Sequence, residues 1–353
     1  MAVSNISRII VDYFSQEHLK IEFYIEDLKQ DWQQVLNQAD FQPVYFLRDS
    51  IDYYQEYFSG NGQKTEDFSL IVYENDLPIA IWPLMIRDAG DRKEFTSGSG
   101  SLFSPLYTSN VNKKMERNIT SACFTACRAI ARNLQILEWR SESYFADEQG
   151  VQEWDLNYIK EDAKLSVEYH WYLDLIPELN QIRKSYRKDS RSRSLSGAKR
   201  WSVSELNESN FDQQVWNEFQ QLHLEVSGRK TRSDNSWQLQ GRAIEEGSAL
   251  FVYTRNELGN LNGGGYFLHS RDESYYGVGA YSRNKLPVPV SHVIQDSAIA
   301  ILKARGIRWH NLGNASLGKN SYSEKEISIS NFKEGFASRL FPSYHYLFEL
   351  KPN

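Results

Sequence analysis

The chain has 353 residues, a net charge of −6 at pH 7, and 41% hydrophobic and 14% aromatic residues. This composition excludes the disordered and fibrous classes, the length allows one large or two medium domains, and the acidic balance argues against a dedicated nucleic-acid binder while leaving room for a local basic stripe. Two cysteines, Cys123 and Cys127, are too few for a disulfide framework or a zinc site, and core packing is their expected role.

The first residues lack the pattern of a secretory leader, and no window approaches the ~20 apolar residues of a membrane span. A cytoplasmic protein is expected, with the inner face of the membrane as its peripheral location.

Residues 1 to 60 open with a strand over Leu19–Tyr24 and a helix starting near Asp31. Asp49 is placed to cap a further helix whose apolar positions Ile51, Tyr54 and Phe58 recur at helical spacing before Gly60-Asn61-Gly62 ends it. A strand over Phe68–Tyr73, a turn at Glu74-Asn75-Asp76 and a second strand over Leu77–Met85 follow, with Pro78 and Pro83 suited to strand ends or bulges. Short extended stretches over Phe95–Gly100 and Leu102–Tyr107 lead into a long helix with Met115, Ile119, Ala122, Ala126 and Ile130 on one face. The strand Ile136–Trp139 closes this run.

The same order returns later. Leu70-Ile-Val-Tyr73 answers Leu250-Phe-Val-Tyr253, and Ile136-x-x-Trp139 answers Ile307-Arg-Trp309, at offsets of 180 and about 170 residues. An internal duplication with drifting loop lengths leaves this pattern. Two similar α/β halves are expected, divided as 1–165 and 166–353.

Between them, Val167–Leu173 reads as a strand and Pro177 opens a helix at its favoured first turn. Eight of the twenty residues from Gln181 to Arg200 are Lys or Arg. At helical spacing Arg183, Arg187 and Arg191 form one stripe, flanked by Lys184 and Lys188. The stripe is either a solvated face or a site for a phosphate-bearing substrate, which arginine's fork suits.

A helix over Phe211–Val226 buries Trp216, Phe219 and Leu222 and carries His223 near its end. The loop after it holds Arg229 and Arg232, placed either to bind an anionic group or to pair with Asp234 or Glu225. Another helix runs from Trp237 through Glu246. Gly263-Gly264-Gly265 inside a strand implies close approach to the backbone by a ligand, or a bulge.

The next strand, Tyr275–Ser282, holds Tyr276 and Tyr281. Ser291 is a favoured N-cap for a helix ending at Gly306. It puts His292 in the first turn and Asp296 one turn on, on the same face, where the positive helix end favours developing negative charge. His292 has a structural reading as well as a catalytic one. In the last segment, alternation across Ile327, Ile329 and Asn331 suggests a strand leading to Lys333, whose ammonium can neutralise a phosphate or carboxylate.

The double α/β organisation, the basic Ile182-Arg183-Lys184 helix within 178–200, the helix ending at Gly306 before the strand into Gly313, and Asn331-Phe332-Lys333-Glu334-Gly335-Phe336 resemble the FemAB-like branch of the GNAT superfamily. The resemblance implies two tandem GNAT-like domains, each a mixed, mostly antiparallel sheet flanked by helices. It implies transfer of an acyl or aminoacyl group to an amine of a peptidoglycan precursor or surface amino sugar. No tightly bound cofactor is implied; the co-substrate is aminoacyl-tRNA or acyl-CoA, and the partners are a lipid-linked or nucleotide-linked glycan acceptor and tRNA.

Arg283–Ser291 departs from the loop of acetyl-CoA-using members, having two prolines without amide donors and no glycine. The chain also lacks the charged helical arm of the glycine-bridge enzymes. Two other readings remain: an acyl-CoA-dependent N-acyltransferase of a nucleotide-linked amino sugar, and a non-catalytic module binding a glycan precursor or RNA.

Amide formation requires a proton acceptor and an oxyanion donor. The expected assignments are His292 supported by Asp296 for the first and Tyr281 for the second. Arg183, Lys184, Arg187, His223, Arg229, Arg232, Tyr276 and Lys333 are the expected substrate contacts. The first repeat lacks equivalents of His292 and the triple glycine, so the second half is expected to hold the reaction centre and the first to shape the acceptor cleft.

Overall fold

In the computed structural model, which describes residues 5–98, 100–143, 150–282, 289–318 and 322–351, the chain forms two units. The first comprises Met1–Glu168 and Pro342–Asn353, the second Tyr169–Phe341. The sequence reading places the C-terminal twelve residues in the second domain. In the structure they belong to the first, because the closing strand pairs there.

The first unit contains α1 (Asn5–Gln16), β1 (Lys20–Phe23), α2 (Lys29–Gln38), α3 (Arg48–Gly60), β2 (Lys64–Asp67), β3 (Leu70–Glu74), β4 (Leu77–Trp82), β5 (Met85–Asp88), β6 (Lys93–Thr96), β7 (Leu102–Phe103), β8 (Leu106–Tyr107), α4 (Lys113–Leu134), β9 (Glu138–Ser143) and α5 (Glu153–Lys160). Its strands pair as β1-β3-β4-β8 and as β2-β5-β6. Pro78 stands opposite Tyr73 at a register shift, so the proline sits at a bulge.

Asn112 caps α4 by accepting from the amides of Lys114 and Met115, and Gln135 ends it in the left-handed conformation. The buried stripe Ile119, Ala122, Cys123, Ala126, Cys127 and Ile130 faces the core, where burial pushes both thiols up and keeps them unreactive. The C-terminal strand β16 (Arg339–Glu349) pairs with β9 from Tyr344 to Glu349. The Phe348 ring lies tilted against that of Trp139, with centroids 4.3 Å apart.

The second unit takes in β10 (Lys164–Asp174) from Tyr169 onward, then α6 (Leu179–Ser185), α7 (Lys188–Arg200), β11 (Val203–Leu206), α8 (Gln213–Ser227), α9 (Asp234–Glu245), β12 (Ala249–Arg255), β13 (Leu261–His269), β14 (Glu273–Tyr281), α10 (Val290–Ala304), β15 (Trp309–Asn314) and α11 (Glu324–Glu334). Its strands lie in the order β11-β12-β13-β14-β15-β10. All neighbours are antiparallel except β14 and β15, which pair in parallel on either side of α10. In the first unit β7 and β9 pair in parallel on either side of α4, so each unit repeats a strand, helix, parallel-strand crossover.

Four expectations change. The Ile327–Asn331 segment is helical, because Ser323 and Glu326 form a capping box and nucleate α11 before the alternation can act. The basic segment is two helices: Tyr186 and Arg187 take extended backbone angles, so Arg183 and Arg187 do not share a stripe. Pro177 lies one residue outside the cap, which Glu178 supplies with Gln181. Helix α10 begins at Val290 with Pro289 as its cap, leaving Ser291 in the first turn.

The triple glycine is filled by protein. A Cβ at Gly263 would run into Val290, one at Gly264 into Phe251 and Phe219, and one at Gly265 into Phe267. The bare strand lets helix and aromatic side chains close on both faces. The register shift between β13 and β14 falls just past it, between Tyr266 and Phe267.

Candidate active site

Helix α10 carries the two residues expected to form a proton-transfer pair, and the structure gives them different partners. Asp296 receives Nε and Nη2 of Arg183 at 3.0 and 2.8 Å, and the hydroxyl of Tyr186 at 3.1 Å. The fork-to-fork geometry and the burial of Asp296 make this a strong, directional pair. The hydrogen bond to Asp296 raises the Arg183 pKa, and burial pushes the Tyr186 hydroxyl up. The helical spacing of the basic residues runs through Tyr186 and gives no sign of this contact.

His292 meets Ser291 Oγ through Nδ1 at 3.2 Å and lies against Phe332 and Phe336 at ring distances of 5.1 and 5.7 Å. Burial, helped by Arg193, lowers its pKa to about 4. At neutral pH it is an uncharged ring in an aromatic setting, and Asp296 does not orient it.

Tyr276 and Tyr281 do come together. Their hydroxyls lie 2.6 Å apart, and both sit over Gly279, where a Cβ would collide with Tyr276 Oη. Burial raises Tyr276 to about 12 and Tyr281 well above its ordinary value. Both stay protonated, as hydrogen-bond donors must.

Arg187 donates to the carbonyl of Asn331 at 3.0 Å and pairs with Glu334 at 3.5 Å. It therefore ties the start of α7 to the end of α11. Lys184 is exposed.

His223, Arg229 and Trp237 line a pocket of about 250 Å³ between α8 and α9. Arg232 approaches the Nε2 of His223 at 3.3 Å and lies 5.3 Å from the Trp237 ring. Burial and Arg232 lower His223 to about 4, so the imidazole accepts this bond in neutral form. Lys230 takes Asp234 at 2.8 Å, the partner expected for an arginine.

The distinctive geometry lies where β14 and β15 part. Their parallel pairing runs through Glu273–Trp309, Ser274–His310 and Tyr275–Asn311, while the strands continue to Tyr281 and Asn314. Beside this parting Gly313 holds φ +88°. A Cβ there would stand 2.8 Å from Lys333 Nζ and 3.6 Å from the Tyr275 ring. Burial lowers the Lys333 pKa to about 8.

Glu273, Asn311 and Tyr172, all buried, form a network behind the parting. Tyr172 donates to Glu273 at 3.0 Å, and Asn311 Nδ2 donates to Tyr172 Oη at 2.8 Å. These three come from separate strands, so no local spacing announces them.

In the first unit a separate cavity of about 510 Å³ opens beside the start of α4, lined by Phe41, Phe46, Tyr107, Lys113, Glu116 and Gln152 among others. The Arg283–Val288 part of the loop before α10 lies outside the described residues. Among the described residues no group of three His, Cys, Asp or Glu side chains could hold a metal ion, and no helix is long and apolar enough to cross a membrane.

No protein-family model matches the sequence, and no curated protein is similar to it. Several solved structures are similar in fold. FemX has a TM-score of 0.65 at 11% identity, covering 93% of this chain and 97% of its own. L-PGS from Bacillus licheniformis has a TM-score of 0.60 at 12% identity, covering 94% of each chain. A tandem GNAT protein from the clavulanic acid biosynthesis pathway has a TM-score of 0.51 at 10% identity, covering 95% and 99%.

Proposed function

From the FemAB-like double GNAT fold of this chain, we propose that it is an acyl- or aminoacyltransferase that joins an activated acyl group to an amine of a cell-envelope precursor, peptidoglycan or a surface amino sugar. The observation that carries this reading is the Lys333 amine, held by burial at the parting of β14 and β15. The fold likeness to FemX and to L-PGS from Bacillus licheniformis supports the same reading.

The chemistry is aminolysis of an ester or thioester. The acceptor nitrogen attacks the acyl carbon, a C–N bond forms, and the C–O or C–S bond breaks. The proton shed by the amine balances the one gained by the leaving alkoxide or thiolate. Between these events the carbonyl oxygen carries negative charge, and a nearby cation or donor lowers that barrier. With a pKa near 8, Lys333 is mostly charged at pH 7 and suits this task. The Tyr276–Tyr281 pair is a second, neutral donor.

The test supplies purified protein with aminoacyl-tRNA or acyl-CoA and candidate amine acceptors, and follows the acceptor's mass. A mass gain with one donor names the transferred group, and free thiol marks acyl-CoA as that donor. Loss of the gain in Lys333→Met ties it to this site. No transfer with either donor, together with RNA binding that weakens steeply with salt, would replace the enzyme reading with a binding module.

A further inference from the structure

We propose that Asn311 is the positioning residue of this site: its side chain holds the backbone bulge at Gly313, and the bulge fixes where the Lys333 amine stands between β14 and β15. The proposal rests on the reading of Lys333 as the working amine of an acyl-transfer centre.

The bulge is visible in the register. Trp171 of β10 faces Gly313 and Tyr172 faces Asn311, so Leu312 is the extra residue on β15. Bulges of this kind re-aim a strand and end its pairing. Here the parallel pairing with β14 has its last partner at Asn311 itself. The next residues must turn away, and Gly313 does so with a positive φ that a side chain would strain.

Asn311 replaces the partner that β14 no longer offers. Its Oδ1 accepts the Gly313 amide at 2.8 Å, an Asx turn within one strand. Its Nδ2 donates to Tyr172 Oη at 2.8 Å and to Glu273 Oε1 at 3.3 Å. Tyr172 also donates to Glu273, so β10, β14 and β15 are tied at one point. Asn311 and Glu273 have no exposed surface. An amide is the side chain suited here, because it alone offers one accepting and one donating end at this length without a second carboxylate beside Glu273.

The link to Lys333 is steric. The amine occupies the space that the bare Gly313 leaves, and the Tyr275 ring borders the same space. If Asn311 releases the Gly313 amide, the bulge relaxes, the space changes shape, and the lysine chain can swing toward water. Lys333 itself can stay chemically intact throughout, so the effect of Asn311 is separable from loss of the amine.

The whole 353-residue chain tests this without any substrate. Trace acetic anhydride labels amines in proportion to their uncharged fraction, and mass spectrometry of the Lys333 peptide against pH gives its midpoint. The expected midpoint is near 8 in the unsubstituted protein. In Asn311→Ala it rises by roughly one unit or more toward the ordinary lysine value of about 10.4, with faster labelling once deprotonated. Tyr172→Phe removes one of the Asn311 bonds and shifts the midpoint in the same direction by less.

A folded Asn311→Ala protein with an unmoved midpoint overturns the proposal. If that variant fails to fold, an unmoved midpoint in Tyr172→Phe overturns it instead. A shifted midpoint in a protein that transfers no acyl group leaves the positioning role standing and removes the acyl-transfer reading.

Discussion

Arg183 grips Asp296 through two side-by-side hydrogen bonds, with Tyr186 Oη added to the same carboxylate. The two partners are not equally exposed: the Asp296 side chain is 8% exposed and that of Arg183 36%. Removing the arginine strands a buried carboxylate, whereas removing the charge on Asp296 leaves a guanidinium that can reach water. Arg183→Ala is therefore expected to cost roughly 2–4 kcal/mol and Asp296→Asn about 1 kcal/mol. Urea unfolding midpoints at pH 7 check the inequality. Equal losses would mean that Asp296 has another source of solvation.

Acid should destabilise the second unit early. His223, His269 and His292 are lowered to about 4, and His310 to about 3, each chiefly by burial. An unfolded histidine takes a proton near 6.5 while the folded one refuses it. The stability is therefore complete above about 6.5 and drains as pH falls toward 4. Each such histidine steepens the slope by up to about 1.4 kcal/mol per pH unit. Melting temperatures between pH 7 and 4.5 should fall, and less so in His292→Phe, which also fits the aromatic surroundings. If turnover survives in that variant, His292 is not the proton acceptor.

Gly279 and Tyr276 should behave as one unit. A Cβ at Gly279 collides with Tyr276 Oη and crowds Tyr281 Oη, so Gly279→Ala is expected to cost about 1–3 kcal/mol and to break the hydroxyl pair. Tyr276→Phe removes the struck atom. The double variant should lose less than the sum of the two single losses, and a thermodynamic cycle of four proteins measures that coupling. Strict additivity would contradict the close contact.

If Lys333 acts as a cation, its contribution fades when it loses its proton. Transfer catalysed by the unsubstituted protein should decline as pH rises through about 8. Lys333→Met should lower turnover by about 10²–10³-fold, the usual cost of losing one oxyanion donor, and should lack that limb of the pH profile. A decline retained in Lys333→Met would assign it to another group.

Much of the architecture is legible in the residues because the long elements carry redundant signals. Helix α4 carries its apolar stripe over several turns, and the hairpins of β3-β4 and β12-β13 follow the same strand, turn, strand order in the sequence. The failures have identifiable causes. In α11 the run Ile327-Ser-Ile-Ser mimics a strand, while the decisive signal is Ser323 with Glu326, just upstream.

The basic segment is uniform in charge, which is insensitive to the backbone, while the helix breaks at Tyr186, whose ring packs against Phe336. The site was the least legible part. Asp296 lies near His292 in sequence but spends its charge on a residue 113 positions away, and the Tyr172–Glu273–Asn311 network joins three distant strands. The motif around Lys333 is visible in the sequence, whereas the reason for its placement, the bare face of Gly313, belongs to a separate strand.

The return of Pro342–Asn353 to the first unit has a consequence for order of synthesis. On the ribosome the first unit emerges early but without the strand that pairs with β9 and brings Phe348 onto Trp139. It must wait, with part of its apolar surface uncovered, until Tyr344–Glu349 has been made. The second unit, contiguous from Tyr169 to Phe341, has no such delay. The unit that starts first finishes last, and removal of Tyr344–Glu349 would injure the unit built mainly from residues 1–168.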